Sequence, residues 1–364
     1  MPDPSHPEPV IREIAQRASL SDCAEGDLSA EIGLLKTNGW LTACLPQAHG
    51  GAGWGSEAEG TNAAFDALRA LGRANLSVAR LFEGHVNAVK LIALYASDSL
   101  RKAAFVDVAQ GELLGVWGAD DPSAPLAYTK DGGQMRLSGA KRFASGLALV
   151  DQAIVTVPGD EGMQLLLLRS DEVTRCDRSV WNMDGMRATQ SGRYDFGDLE
   201  VSENRILGGL DDYLREPHFE GGIWRYCAAH LGAAEALLED MRESLEARGR
   251  ADDPHQQRRI VEASIAVETC RLWLLRAARA VEAQDTKPDS ATLSLLAREV
   301  TETCCRDVMR IVEQALGMGA HRAGSPVERI ARDLRLFLCQ AAPDAKRARA
   351  AQTLVQRGVR PEFL

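Results

Sequence analysis

The chain has 364 residues, 45% of them hydrophobic and 26% charged, the balance of an ordinary globular protein rather than a disordered one. Its 42 Lys+Arg against 52 Asp+Glu leave a formal charge of −10. No basic face stands out against that charge, which argues against a nucleic-acid partner.

Three textures follow one another. Residues 8–111 read as a helical N-terminal domain, with an Ala- and Leu-rich segment at Glu59–Leu71 and helical spacing at Leu100–Val108. The Gly-rich stretch from Pro46 to Gly55 reads as a loop. Residues 112–210 carry short β-type runs at Leu113–Trp117, Gln134–Leu137, Ala153–Val157, Gln164–Leu168 and Arg193–Phe196. Their spacing predicts a small antiparallel sheet or barrel.

Residues 217–358 turn helical again, over Gly222–Arg248, Pro254–Ala283, Ser290–Leu316, Pro326–Gln340 and Pro343–Arg357. Pro254, Pro288, Pro326 and Pro343 stand at or near helix starts, where a missing N–H costs little. Long helices with short links pack as an antiparallel bundle. The predicted fold class is α+β, mostly α.

Several chemistries are excluded by motif. No GxGxxG follows a strand, and there is no GxxxxGK[ST], HExxH or GxSxG. The eight Cys and seven His are scattered, so no metal site is expected. Free thiols in this number suit a reducing compartment, no apolar run is long enough for a membrane span, and the N-terminus lacks a signal-peptide pattern. The expected location is the cytoplasm.

Three strings, in order along the chain, resemble the acyl-CoA dehydrogenase superfamily over nearly the whole length. They are Gly139-Ala-Lys141-Arg-Phe143-Ala-Ser145-Gly146, the stretch from Gly185-Met-Arg187-Ala-Thr189-Gln-Ser191 to Val201, and Gln314-Ala-Leu-Gly317-Met-Gly319 followed by Ser325-Pro-Val-Glu-Arg329 and Arg332-Asp333. The resemblance implies a helical N-domain, a middle β domain and a C-terminal four-helix bundle, with FAD between the last two. Ser145 would then supply a hydroxyl to the flavin edge and Phe143 the wall against its ring. Trp117, Ala119 and Asp120 would lie at the strand end whose backbone meets the flavin. Gln314 and Gly317 would reach the FAD of a neighbouring subunit, and Arg248 would pair with the diphosphate. Arg225 would touch substrate. The family also implies an acyl-CoA substrate, an electron-transfer partner and an oligomer: a homodimer or homotetramer, or a mixed complex with a paralogous subunit.

The chain departs from the pattern where the family places its catalytic Glu. Counting from Arg332-Asp333, that position is Ala341, which cannot take a proton. Glu220, near an alternative base position, and His85, in the string Glu83-Gly-His85-Val-Asn87, are the remaining candidates. The function the resemblance implies is a FAD-dependent oxidation of an acyl-CoA thioester with a relocated base; the alternatives are a flavin monooxygenase of the same fold and a non-catalytic subunit sharing a FAD site with a paralogue.

Overall fold

The computed structural model describes residues 7–23, 26–340 and 342–358. The N-terminal region comprises α1 (Glu8–Arg17), α2 (Ser29–Thr37), the short α3 (Trp40–Ala43), α4 (Thr61–Ala74), α5 (Leu76–Tyr95) and α6 (Asp98–Ala109). Asn75 starts α5 by accepting hydrogen bonds from the Ser77 and Val78 N–H groups, which would otherwise lack intrahelical acceptors. The Gly-rich loop before α4 is anchored rather than loose, because Trp54 is buried edge-on against Trp40 with ring centroids 5.6 Å apart.

Ten strands follow among the described residues: β1 (Leu114–Trp117), β2 (Ala127–Asp131), β3 (Gln134–Ser138), β4 (Ala140–Ala144), β5 (Gln152–Gly159), β6 (Gly162–Arg169), β7 (Cys176–Asp177), β8 (Gly192–Asp195), β9 (Glu200–Ser202) and β10 (Ile206–Leu207). They form three small sheets, ordered β1-β5-β6-β10, β2-β3-β9 and β4-β8-β7. The expectation of a purely antiparallel arrangement is corrected here: β1 pairs in parallel with β5, Leu114 opposite Gln152. A parallel pair needs a long crossover, and the β2–β4 excursion supplies it. β5 and β6 form the hairpin at the centre, buried on both faces over Ile154–Val157 and Leu165–Leu168.

The C-terminal region is α7 (Trp224–Ala247), α8 (Pro254–Glu282), α9 (Ala291–Leu316), α10 (Pro326–Leu338) and α11 (Pro343–Arg357). On α10 the buried residues Val327, Ile330, Ala331, Leu334, Phe337 and Leu338 recur at helical spacing. Ser325 caps it through the Glu328 N–H, and Pro326 opens it. α7 packs on α8, α9 and α10, and also on α4 of the N-terminal region. That last contact is unusually close. A Cβ on Gly72 of α4 would lie 2.1 Å from the Ala229 carbonyl oxygen, and one on Gly232 of α7 would lie 1.9 Å from that of Arg69. Two glycines thus let the two backbones touch, which locks α5, the next element, in place beside the start of α7.

Candidate functional site

A cavity of about 840 Å³ opens where the sheets meet α5, the start of α7 and the end of α10. Its sheet-side wall comes from the Gly139–Gly146 string. Lys141 is fully buried, and its ammonium donates to Asp120 Oδ1 at 2.6 Å and Thr156 Oγ1 at 3.0 Å. Burial lowers its pKa, and Asp120 works against that shift. This one cation pins the end of β1 to β4 and β5. The register of β4 on β8 then shifts between Lys141 and Ala144. Phe143 stands in the bulge in left-handed backbone, φ 54°. Its ring is half exposed to the cavity and meets Trp181 edge-on at 6.1 Å.

Ser145 sits next to this wall. Its Oγ accepts from Ser191 Oγ at 3.2 Å, while the neighbouring Thr189 hydroxyl donates to the Met186 carbonyl at 2.8 Å. Thr189 Oγ1 and Ser191 Oγ are also 2.8 Å apart, so Ser145, Ser191 and Thr189 form one chain of hydroxyls along the cavity wall. Trp117 fixes the loop from behind, its indole N–H donating to the Ser145 carbonyl at 3.0 Å. Further ties come from Gly146 N–H to the Thr189 carbonyl (2.8 Å) and Leu147 N–H to the Gln190 carbonyl (3.0 Å). Met186 and Gln190 also take positive φ, so the non-glycine strain gathers on this wall.

The helical wall is charged. Glu83 accepts from Arg80 and Asn87; Asn87 in turn accepts from Arg225 Nη1 at 3.1 Å. Arg225 also donates to Glu282, which takes the Trp224 indole N–H at 3.1 Å and the Lys90 ammonium at 2.9 Å. Burial pushes the Glu282 carboxyl up, but Arg225 and Lys90 outweigh it and hold its pKa below the usual range. His218 lies against this network and lines the cavity; burial, and then Lys90, hold its ring down to about 4. Tyr226 completes the wall, its phenol pushed up by burial. Tyr226 Oη, His218 Nδ1 and Arg225 Nε are buried atoms without a hydrogen-bond partner among the described residues.

Of the residues singled out in the sequence, Trp117, Ala119, Phe143, Ser145 and Arg225 line this cavity. Asp120 lies behind the wall as the partner of Lys141 and as acceptor for the Leu126 N–H. Arg248, Gln314 and Gly317 are exposed at the far end of the bundle, outside the lining. Arg248 approaches Gly319 there, and Gln314 accepts from Arg310.

Neither remaining base candidate fits that role. His85 is fully buried, donating from Nε2 to the Leu41 carbonyl (3.0 Å) and accepting the Leu114 N–H at Nδ1 (3.0 Å). It joins α3 to β1, and burial holds it near 4. Glu220 is buried in an ion pair with Lys346 at 2.8 Å and does not line the cavity. Ala341 lies outside the described residues; Gln340 and Ala342, on either side of it, line the cavity.

Sequence reasoning missed Lys90, His218 and Tyr226, and quoted Lys141 in its string without giving it a role. Lys90 had a signal: with Glu83 and Asn87 it recurs at i, i+4, i+7 on one face of a predicted helix. His218 and Tyr226 depend on tertiary packing.

The volume lies in the usual range for a cofactor pocket, roughly 300–1,000 Å³. An aromatic wall, hydroxyls at the cavity surface and unpartnered buried polar atoms suit a flavin, whose ring edge accepts hydrogen bonds and whose faces are apolar. Among the described residues no group of three or more His, Cys, Asp or Glu is placed to hold a metal, and no helix is long and apolar enough to cross a membrane.

Comparison with known proteins agrees with the fold. Residues 8–112 match the acyl-CoA dehydrogenase N-terminal domain and residues 218–339 the acyl-CoA dehydrogenase C-terminal domain, together more than half of the chain. The chain belongs to the acyl-CoA dehydrogenase superfamily of flavoproteins. It is 26% identical over 307 residues to the Probable FMNH2-dependent monooxygenase SfnC of Pseudomonas putida, covering 77% of this chain and 74% of that protein. It is 25% identical over 324 residues to a dibenzothiophene monooxygenase of Rhodococcus erythropolis, 79% of this chain and 76% of that one. A mitochondrial isobutyryl-CoA dehydrogenase of Dictyostelium discoideum is 24% identical over 302 residues, 76% and 71% of the two chains. The crystal structure of TdsC from Paenibacillus sp. A11-2 with FMN and indole superposes with a TM-score of 0.83 at 19% identity, covering 98% of each chain.

Proposed function

We propose that the chain is a flavin-dependent monooxygenase, taking reduced FMN into the cavity and adding one oxygen atom to a small molecule. The observation that carries this reading is the state of the carboxylates. Glu83 is the single carboxylate lining the cavity among the described residues, and it is already engaged by Arg80 and Asn87. Oxidation of an acyl-CoA would need a free base beside the α-carbon, and an oxygenation does not. The monooxygenase relatives support the same choice.

When bound, reduced flavin supplies the two electrons that split dioxygen, one atom going to the substrate and the other leaving as water. The chain's own residues supply position and exclusion. Ser145 would offer its hydroxyl to the acceptor edge of the ring. Phe143 and Trp181 cover a ring face and keep water from it. His218 and Tyr226 hold proton-bearing groups within the same cavity. FMN is favoured over FAD, because Arg248, Gln314 and Gly317, the residues expected at a diphosphate, do not line this cavity. Reduced FMN would arrive from a separate reductase. The chain is proposed to self-associate through the corner that carries Gln314 and Gly317, where Met318 is 93% exposed. Met318→Glu should then lower the mass found by light scattering, and a wild-type monomer would refute the association.

The function itself is tested under two atmospheres. The FMN-loaded chain mixed anaerobically with butyryl-CoA should keep its oxidised flavin spectrum. With reduced FMN and ¹⁸O₂, indole or benzenesulfinate should yield a product carrying one ¹⁸O. Bleaching by butyryl-CoA, with no labelled product, would refute the reading.

A further inference from the structure

The chain as a whole carries a charge of −10, yet Arg80, Lys90, Arg142, Arg225 and Lys346 line the cavity against the single carboxylate of Glu83. The carboxylates behind the wall do not balance this. Lys346 is matched by Glu220. The network on the helical wall holds three cations, Arg80, Lys90 and Arg225, and two carboxylates, Glu83 and Glu282. One positive charge is left over in a place where Lys90 is 7% and Arg225 2% exposed. An uncompensated charge at such depth is costly unless something neutralises it.

Three donors or acceptors facing this network also lack partners. Arg225 Nε and His218 Nδ1 are unpaired, and Tyr226 Oη is buried without a hydrogen bond among the described residues. Burial above all keeps His218 neutral, and Lys90 and Arg225 add to it against the opposing Glu282. Arg142, the remaining cation without an ion pair among the described residues, stands apart on the sheet side, over the Phe143 ring at 4.8 Å. The cavity therefore has two separate positive regions: Arg142 near the flavin wall, and Lys90 with Arg225 opposite it.

We infer that the substrate is a small organic anion, a carboxylate or a sulfur oxyanion, whose charged group neutralises the Lys90–Arg225–His218 wall and whose remainder points toward Ser145 and the flavin. This assignment rests on the monooxygenase reading and narrows it to a substrate class. Clefts lined by one sign of charge concentrate ligands of the other sign, and a fixed anionic group also sets which atom faces the ring.

The test is a calorimetric titration of the full chain, saturated with FMN, using two probes of equal shape. Benzoate should bind about tenfold or more tightly than benzamide, as a desolvated charge contact requires. Lys90→Gln makes the network neutral and should abolish that preference. Glu282→Gln raises the excess by one charge and should strengthen it, so the result does not depend on one variant folding. Equal binding of the two probes, or an unchanged preference in Lys90→Gln, would overturn the inference. So would competition between benzoate and FMN, which would mean that the flavin phosphate takes these cations. A benzoate preference without any ¹⁸O incorporation would instead remove the monooxygenase reading and leave the anion site standing.

Discussion

The Asp333 carboxylate on α10 accepts the backbone N–H of Met186 at 2.7 Å. Two strings 147 positions apart in the chain thus meet at one hydrogen bond. The approach is tight, since a Cβ on Gly185 would lie 2.7 Å from the Arg332 carbonyl oxygen. Arg332 also pairs with Asp22, so the N-terminal region is tied to the same point. The loop that positions Thr189 and Ser191 is held from outside the β region.

This gives the first prediction. Burial, partly offset by the Met186 N–H and Arg332, pushes the Asp333 carboxyl up to about 6. A raised carboxyl pKa favours the fold in acid: the contribution is complete below the ordinary 3.8 and is lost as pH rises through about 6. Two pH units correspond to about 3 kcal/mol at most. Asp333→Asn keeps the acceptor and removes the charge. Urea unfolding at pH 8 should find it at least as stable as wild type, with a flatter profile between pH 4 and 6. Asp333→Ala should lose about 1–3 kcal/mol, because the Met186 N–H is left unpaired.

Ser145→Ala removes a hydroxyl that lines the cavity beside the aromatic wall. Flavin binding should weaken by about 0.5–1.5 kcal/mol, up to roughly tenfold. Fluorescence titration with FMN measures this directly, and an unchanged affinity and spectrum would remove Ser145 from the site.

His85 should behave as a structural residue. Its ring, held near 4 by burial, titrates below the free value of 6.5. Its contribution is therefore complete above pH 6.5 and lost as pH falls toward 4. His85→Ala should cost about 1–3 kcal/mol by leaving the Leu41 carbonyl and the Leu114 N–H unpaired. FMN affinity in the surviving folded protein should not change. A selective loss of flavin binding at constant unfolding midpoint would return His85 to the list of functional residues.

Gly232→Ala should be among the most damaging conservative changes. Its new methyl would sit 1.9 Å from the Arg69 carbonyl oxygen, so α4 and α7 must separate. Overpacking of this kind costs about 1–3 kcal/mol or more. A melting temperature equal to wild type would show that the crossing is looser than described.

The helices were the most legible part of the sequence. α8 and α9 follow the predicted spans to within a residue or two, because Pro254 and the apolar spacing mark local physics. The strands β5 and β6 were legible for a similar reason, as unbroken apolar runs. β2, mostly exposed along its length, and the two-residue β7 carried no such mark. The sheet side of the site came through the Gly139–Gly146 string, which held Phe143 and Ser145 together. On the helical side Arg225 alone was named for a role and found in the lining, because Lys90, His218 and Tyr226 meet only after α5, α7 and the segment before α7 have packed. The paired states of Glu220 and His85 were equally invisible, since their partners Lys346 and Leu41 lie far away in the chain.

The shift in β4 has its own consequence. In an even strand Lys141, Phe143 and Ser145 would share one face, and the buried ammonium would point the same way as the ring and the hydroxyl. The irregularity separates them, turning the cation inward while the other two look onto the cavity. Placement of the reactive edge therefore depends on counting, not only on residue identity. Deleting one position between Lys141 and Ala144 would leave composition almost untouched and still point the hydroxyl at the wrong side. Likewise, a relative aligned across this stretch without allowing for the extra position would have its site assigned to the wrong face.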